Sequence, residues 1–539
     1  MYKQPEREHA YTRDEIRRDN ERRDYKGRKK QKNGMKKLII FLVIAIIAAG
    51  GVLVKFWLDT NPFRVPGVIT FDSSLTEDEK SLLSDIFKDY LGEKPKEILN
   101  HDVTFSAKTT YEKDESYIDS GKTILYSLEL PTVDFYDNKL NISADEAEIA
   151  SNDSDVEWID FKDLTFENRV VSIDDKYFFD TFNEGARYRY FIIESSDYTE
   201  TRDKIVSKLN SENRVYPLNS DRVLSFAQTG VTAITRAMTI TLNGKAGGRG
   251  SYFADKIKDF LSSKDLTHIS NEVSFADGCK GSTETMSLCA DWRAIDTITA
   301  IGTDIVELTG NHNNNYGTSN NIKTIEKYEE LGMKTVGGGK TEEEAAKPLE
   351  IEEKGQKITF LAYNHSTSTK GNGELADGDK PGANGFTEEK AKKDIEEAKE
   401  RGDFIIVDIQ YSECWSYPDG YTELPSCDAP ISGQKSFFRQ FIDWGADVVI
   451  GTQAHHPQTF EIYEGKPIYY GLGNLFFDQT YWPGTQRGYI LTHYFYNNQL
   501  INTRISPTWY DESHQVYLTD EATSEKFIKR LIESSPKGK

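Results

Sequence analysis

A chain of 539 residues with a formal net charge of −22 is long enough for two or three domains and, taken whole, opposes binding to nucleic acid. With 12% aromatic residues, the acidic body suits a soluble surface protein that takes up metal ions or neutral and cationic groups more readily than bare polyanions. The four cysteines, Cys279, Cys289, Cys414 and Cys427, are not spaced as CxxC, which argues against a zinc ribbon.

Charge is uneven along the chain. Residues 1–37 are crowded with Arg and Lys (Arg17, Arg18, Arg22, Arg23, Lys29, Lys30, Lys36 and Lys37) and read as a basic, disordered leader. An uncharged run, LIIFLVIAIIAAGGVLV, follows and continues past Lys55 to Trp57, so residues 38–58 are expected to cross a membrane once. A cleaved signal peptide is the alternative, but the basic leader is long for one. Positive flanking charge stays inside, which predicts a cytoplasmic N-terminus and an extracytoplasmic bulk. All four cysteines fall in that outer portion, compatible with two local disulfides, Cys279 to Cys289 and Cys414 to Cys427, or with free thiols.

Residues 66–221 read as a smaller α/β accessory domain. VITFDSSL predicts a strand, and a capping box from Thr76 to Glu79 opens a helix that ends near Gly92. KTILYSLEL, EWIDFKDL, NRVVSIDD and RYRYFIIE are further strand candidates, and Thr199 to Leu209 has an amphipathic helical pattern. No ligand cluster, phosphate loop or nucleophile pattern occurs in this region, so its plain reading is structural or ligand-binding.

From Arg222 the strands become continuous apolar runs (VLSFAQTG, DIVELTG, KITFLAY, DFIIVDI and ADVVIGTQ), as when both faces of a sheet are covered. Helical patterns separate them (NIKTIEKYEELG, TEEKAKKDIEEAKERG, GQKSFFRQFIDWG), each stopped by glycine, so the pairing should be mostly parallel over residues 222–520. Thr367 to Gly385 is a Gly-rich loop of lid length, and residues 521–539 form a closing helix and charged tail.

Polar residues gather where these apolar runs end, the place where an open α/β sheet assembles a site. Asn271 and Glu272 precede VSF, and Asn311 and His312 follow DIVELT. Gln410 and Glu413 close FIIVDIQYSE, while Gln453 and His455 follow ADVVIG. Two residues apart in an extended segment, Gln453 and His455 share one side and His456 faces away. Asn oxygen and His nitrogen can ligate a divalent cation, and the imidazole can act as acid or base. The plainer alternative is that several of these residues merely cap turns and helices.

In order and spacing, GNHNNNYG, GADVVIGTQAH and GKPIYYGLGNLFFD resemble the CapA family, the capsule and poly-γ-glutamate synthesis proteins with a metallophosphatase-like α/β sandwich. The resemblance covers about residues 222–500, and VEWIDFKDLTFENRVVSIDD is similar to the periplasmic-binding-protein-like domain that precedes CapA domains in some larger members. It implies that Asn311 and His455 are metal ligands, that Glu272 is the family's acidic residue, and that Asn474 lies at the substrate. The departures fall on the metal chemistry: Val231 stands for an Asp, Gln410 and Gln453 for two His, and Asn315 for a further Asp. Neutral amides supply neither charge nor imidazole nitrogen, so at most one weakly bound divalent metal is expected.

Two functions follow as expectations. One is a membrane-anchored enzyme or enzyme remnant acting on an anionic envelope polymer or its precursor, with His312 as acid or base, Glu272 or Glu413 as partner, and Asn271, Gln410, Gln453 and Asn474 placing substrate. The other is a polymer-binding scaffold without chemistry, in either case within a polymer-synthesis complex. A third, a sensor, would use the accessory region to bind a small solute.

Overall fold

The computed structural model describes residues 123–149, 155–195, 218–282, 285–365, 374–412 and 427–536, with Val68–Phe71, Thr104–Thr110, Cys414 and scattered positions between 72 and 84. The predicted membrane span, the 199–209 helix and Glu413 lie outside the described residues, as does most of the 76–90 helix. Among the described residues no helix is long and apolar enough to cross a membrane.

Two compact units emerge: residues 1–128 with 188–217, and residues 129–187 with 218–539. In the first, Val68–Phe71 pairs in parallel with Thr104–Thr110, which pairs antiparallel with Arg187–Ser195. The division does not follow a single cut near residue 221. Residues 129–187 join the larger unit because their aromatic side chains pack there: Phe135 meets Phe460 at 5.2 Å, and Phe179 stacks on Tyr494 at 4.2 Å.

The larger unit is built on two sheets. The first has the order β4 (Lys334–Val336), β3 (Ile305–Glu307), β2 (Leu266–Asn271), β1 (Leu224–Thr232), β12 (Arg487–Tyr496), β13 (Gln499–Tyr510), β14 (Val516–Leu518), with β11 (Asn474–Phe476) also on β1. The second runs β5 (Leu349–Glu353), β6 (Gln356–Asn364), β7 (Phe404–Gln410), β8 (Val448–Gly451), β10 (Lys466–Gly471), β9 (Gln458–Tyr463). Strands β1 to β4 pair in parallel, as do β6, β7, β8 and β10, whereas β12 to β14, β5 and β9 are antiparallel additions.

Apolar residues on both faces of the central strands explain the layering. Phe226, Leu491, Phe360, Ile406, Val448 and Tyr469 form one core shared by the two sheets. Beyond the first sheet, Met238 of α1 (Ala237–Asn243), Leu261 of α2 (Lys258–Ser262), Ile298 of α3 (Ile295–Ala300) and Ile325 of α4 (Thr318–Glu330) join a second core. Beyond the second sheet, Ala391, Ile395 and Ala398, four and three residues apart on α5 (Glu388–Arg401), share a third with Phe438 and Phe441 of α6 (Gln434–Trp444). Each fully buried large apolar side chain contributes about 1.5–3 kcal/mol, so the sandwich needs all of these layers. Local signals set the helix ends: the Thr387 hydroxyl caps α5, and Gly402, at φ 78°, stops it. The closing helix α7 (Glu521–Glu533) belongs to this body, since Phe527, Ile528 and Leu531 enter the core between the sheets.

Polar groups cross that core just below the ends of the strands. Asp408 of β7 accepts the Gln228 amide of β1 at 2.5 Å, and the His268 Nε2 of β2 lies 3.3 Å from its other oxygen. Burial and the nearby Asp408 push the Glu307 carboxyl of β3 upward, and this group accepts the Thr309 backbone N–H at 2.5 Å. Cross-links of this kind fix the two sheets relative to one another where the strands deliver their terminal side chains.

Candidate functional site

The carboxyl ends of the parallel strands from both sheets open into one cleft of about 840 Å³. Asn311 and His312 enter it after β3, Gln410 at the end of β7, Gln453 and His455 after β8, and Arg236 after β1. Gly310 is required by close approach: a Cβ there would lie 2.5 Å from the Glu272 Cα. Gly473, at φ 73°, is required in the turn before β11 for the same reason, since a Cβ there would lie 2.6 Å from the Arg487 carbonyl oxygen.

Three amides in the cleft satisfy one another. The Gln410 Nε2 donates to the Asn311 Oδ1 at 3.2 Å and also to the Gln453 Oε1. Both histidines are fixed by acceptors behind them. The Asn315 Oδ1 accepts the Leu288 backbone N–H at 2.9 Å and lies 2.7 Å from the His312 Nδ1, so that nitrogen carries the proton. Asn474 donates its Nδ2 to the Thr485 carbonyl at 2.9 Å, which turns its Oδ1 to the His455 Nδ1 at 2.8 Å. Each ring in its neutral form therefore keeps the Nε2 lone pair, an arrangement that suits a metal ligand or a hydrogen-bond acceptor. Burial lowers the His312 pKa, against the upward pull of the Asn315 hydrogen bond.

One ion pair anchors the far wall. The Arg236 guanidinium takes Asp478 with two bonds of 3.1 and 2.5 Å, and Asp478 also accepts the Ala237 N–H at 2.9 Å. Arg236 has φ 44° and ψ −110°, a conformation L-residues adopt at a cost, held by these bonds and by packing 5.2 Å from the Phe477 ring. Tyr411, Tyr481 and Trp482 add aromatic surface, and Glu512 and His514 close the rim.

The sequence-derived residues thus divide. Asn311, His312, Gln410, Gln453 and His455 meet in the cleft. Asn474 sits behind His455, and Asn271 donates to the Val273 carbonyl at 2.7 Å and to the Tyr328 hydroxyl at 2.9 Å, away from the cleft lining. Glu272 is 1% exposed and does not line the cleft. His456 is buried with its Nδ1 on the Pro457 carbonyl, and burial pushes its pKa down to about 4. Cys279 is bonded to Cys289, and Cys414 to Cys427. Sequence reasoning missed Arg236 and Asp478 as a pair, although Asp478 closes the stretch GKPIYYGLGNLFFD. It had no signal for Tyr481, Trp482, Glu512 or His514, which only folding brings to the cleft.

A two-metal centre needs several carboxylates and imidazoles around each ion. Among the described residues no group of three or more His, Cys, Asp or Glu could hold a metal ion. Asn311 and Gln453 turn their oxygens to Gln410, and Asp478 is committed to Arg236. These residues do not fit a two-metal site.

Fold and site together define a class, an αββα sandwich whose cleft lies at the strand carboxyl ends with amides at its centre. Residues 225–479 match the family model described as bacterial capsule synthesis protein PGA_cap. Capsule biosynthesis protein CapA of Bacillus anthracis is 22% identical over 255 residues, 47% of this chain and 58% of that protein. The PGA biosynthesis protein CapA of Bacillus subtilis is 22% identical over 263 residues, 49% of this chain and 65% of that protein. These matches support the CapA family for the sandwich, while the chain spans only about three-fifths of the length of either relative. A solved structure of NAD nucleotidase from Haemophilus influenzae aligns with a TM-score of 0.28 at 11% identity, covering 59% of this chain and 57% of that one, and carries no functional argument.

Proposed function

We propose that this chain acts in capsule or poly-γ-glutamate-type polymer synthesis as a membrane-anchored, extracytoplasmic protein that holds polymer in its cleft without two-metal hydrolysis. The observation that supports this most is the double donation by Gln410, which uses the amide oxygens of Asn311 and Gln453 where a hydrolase would offer ligands to cations. Arg236 is already answered by Asp478, so the cleft presents amides, imidazole lone pairs and aromatic rings rather than free positive charge. Such a surface reads the amide or hydroxyl groups of a polymer backbone and leaves the polymer's carboxylates to solvent. Residues 38–58 would supply the anchor, and the smaller unit an accessory role within a synthesis complex.

A second reading keeps chemistry in the cleft, with His312 as general base and one weakly held divalent ion on Asn311 and His455. The orientation of both Nε2 atoms favours it; the placement of Glu272 outside the cleft lining does not. Metal content and binding to poly-γ-glutamate and an acidic glycan, measured on one sample of the full chain, separate the readings. The binding reading expects metal-free protein that retains polymer, and a Gln410→His, Gln453→His double variant that acquires a divalent ion. Stoichiometric metal in the wild type, with polymer turnover lost in His312→Ala, would overturn it.

A further inference from the structure

A second cavity lies elsewhere in the larger unit, between residues 140–177, strand β13 and the start of helix α7. Its volume is about 180 Å³, room for one small molecule. Arg169 and Arg504 line it, and so do Asp175 and Glu521.

The two arginines differ in how they are answered. Arg504 bonds Asp180 at 3.0 Å and lies 4.2 Å from the Tyr177 ring centre. Arg169 is 3% exposed, bonds the Asp137 backbone carbonyl, and has no ion pair among the described residues. Its Nε is buried with no hydrogen-bond partner among the described residues, although a guanidinium offers five donors in a fixed fork matched to a carboxylate. A buried cation left this way is unusual, since burial opposes its charge until an anion arrives. Burial lowers the pKa of Arg169, against the opposing pull of the nearby Asp137 and Asp134 carboxylates.

The carboxylates occupy the other end. Asp175 and Glu521 are exposed, and the Asn141 amide ties them together, donating to the first at 3.1 Å and to the second at 3.3 Å. The cavity therefore holds two guanidiniums inside, Arg504 paired with Asp180 and Arg169 with the Asp137 and Asp134 carboxylates nearby, and two further carboxylates at its mouth. A plain anion would meet the rim carboxylates with repulsion, and a plain amine would meet the arginines. A short molecule with an anionic end and a cationic end fits both.

We propose that this cavity binds a single free α-amino acid as its zwitterion, with the carboxylate on Arg169 beside Arg504 and the ammonium toward Asp175 and Glu521. The site is separate from the cleft and needs neither a metal nor the polymer.

The test is calorimetric titration and thermal shift of the full-length chain with each of the common amino acids, and with acetate, inorganic phosphate and ethylamine as single-charge controls. At least one amino acid should bind and raise the melting temperature, and all three controls should bind at least about tenfold more weakly. Arg169→Gln should abolish binding. Because that variant can fail to fold, Arg504→Gln and Glu521→Gln, at more exposed positions, should each weaken amino-acid binding at least about tenfold, whereas Glu521→Gln should leave acetate binding no weaker. The proposal falls if no amino acid binds at about 10 mM. It falls equally if acetate or phosphate binds as tightly as any amino acid, or if binding ignores both Arg504→Gln and Glu521→Gln.

Discussion

The large cleft and the small cavity treat an arginine in opposite ways. Arg236 in the cleft has a carboxylate, Asp478, on two of its nitrogens, while Arg169 in the cavity has a backbone carbonyl and a donor left over. The amides follow the same contrast, since Gln410 answers both Asn311 and Gln453. A site whose polar groups are already satisfied can recognise a ligand by shape and replaceable hydrogen bonds, but it does not demand a charge. A buried donor without a partner does, which is why a small ion-bearing ligand belongs to the cavity and a neutral backbone to the cleft.

The most damaging way to break the contrast is to leave Arg236 unanswered too. Asp478→Asn should cost on the order of 3 kcal/mol of stability, because it strands a largely buried guanidinium and frees the strained Arg236 backbone; urea unfolding reads the loss. Next in size, Asn474→Ala removes the acceptor that orients His455 and leaves a buried N–H unpaired. It should cost about 1–3 kcal/mol and weaken polymer binding while His312→Ala leaves stability nearly unchanged. Unaltered binding in the Asn474 variant would mean that His455 does not face the ligand.

A smaller effect depends on pH and concerns the core beneath the cleft. Burial pushes the His493 ring down to about 3, well below its ordinary value. Between about pH 6.5 and 3 the unfolded chain takes up a proton that the folded ring refuses, so the contribution to stability is whole above pH 6.5 and falls as pH drops through that window, by up to about 1.4 kcal/mol per unit. His493→Phe, which keeps the stacking on Phe226, should flatten the fall in urea midpoint between pH 7 and 5 relative to wild type. Smallest of all should be the salt response of polymer binding in the cleft. With no free cation at its centre among the described residues, raising the salt from about 0.05 to 0.5 M should change the affinity little, and a steep loss would show that carboxylates are being read after all.

Much of the sandwich was legible along the chain. Continuous apolar runs such as FIIVDI and ADVVIG became the parallel strands β7 and β8, and the glycines after AKER and FIDW, at 402 and 445, end α5 and α6. Spacing also placed Gln453 and His455 in the cleft and His456 out of it. Asn271 and Glu272 read the same way as Gln410 in one dimension, yet they sit behind the cleft lining. A polar pair at a strand end has two sides to face, and only the neighbouring layers decide which one is open.

What the sequence determined by itself is periodicity and residue type: which segments are strands covered on both faces, where helices stop, and that amides stand beside imidazoles at strand ends. Partnership was decided by the tertiary structure. That Gln410 satisfies two other amides, that Asp478 answers Arg236 across 242 positions, and that Arg169 is buried without an ion pair among the described residues all depend on distances between segments remote in the chain. Hydrogen bonds and ion pairs act over a few ångströms in space, and a linear sequence carries no record of which groups folding will bring that close.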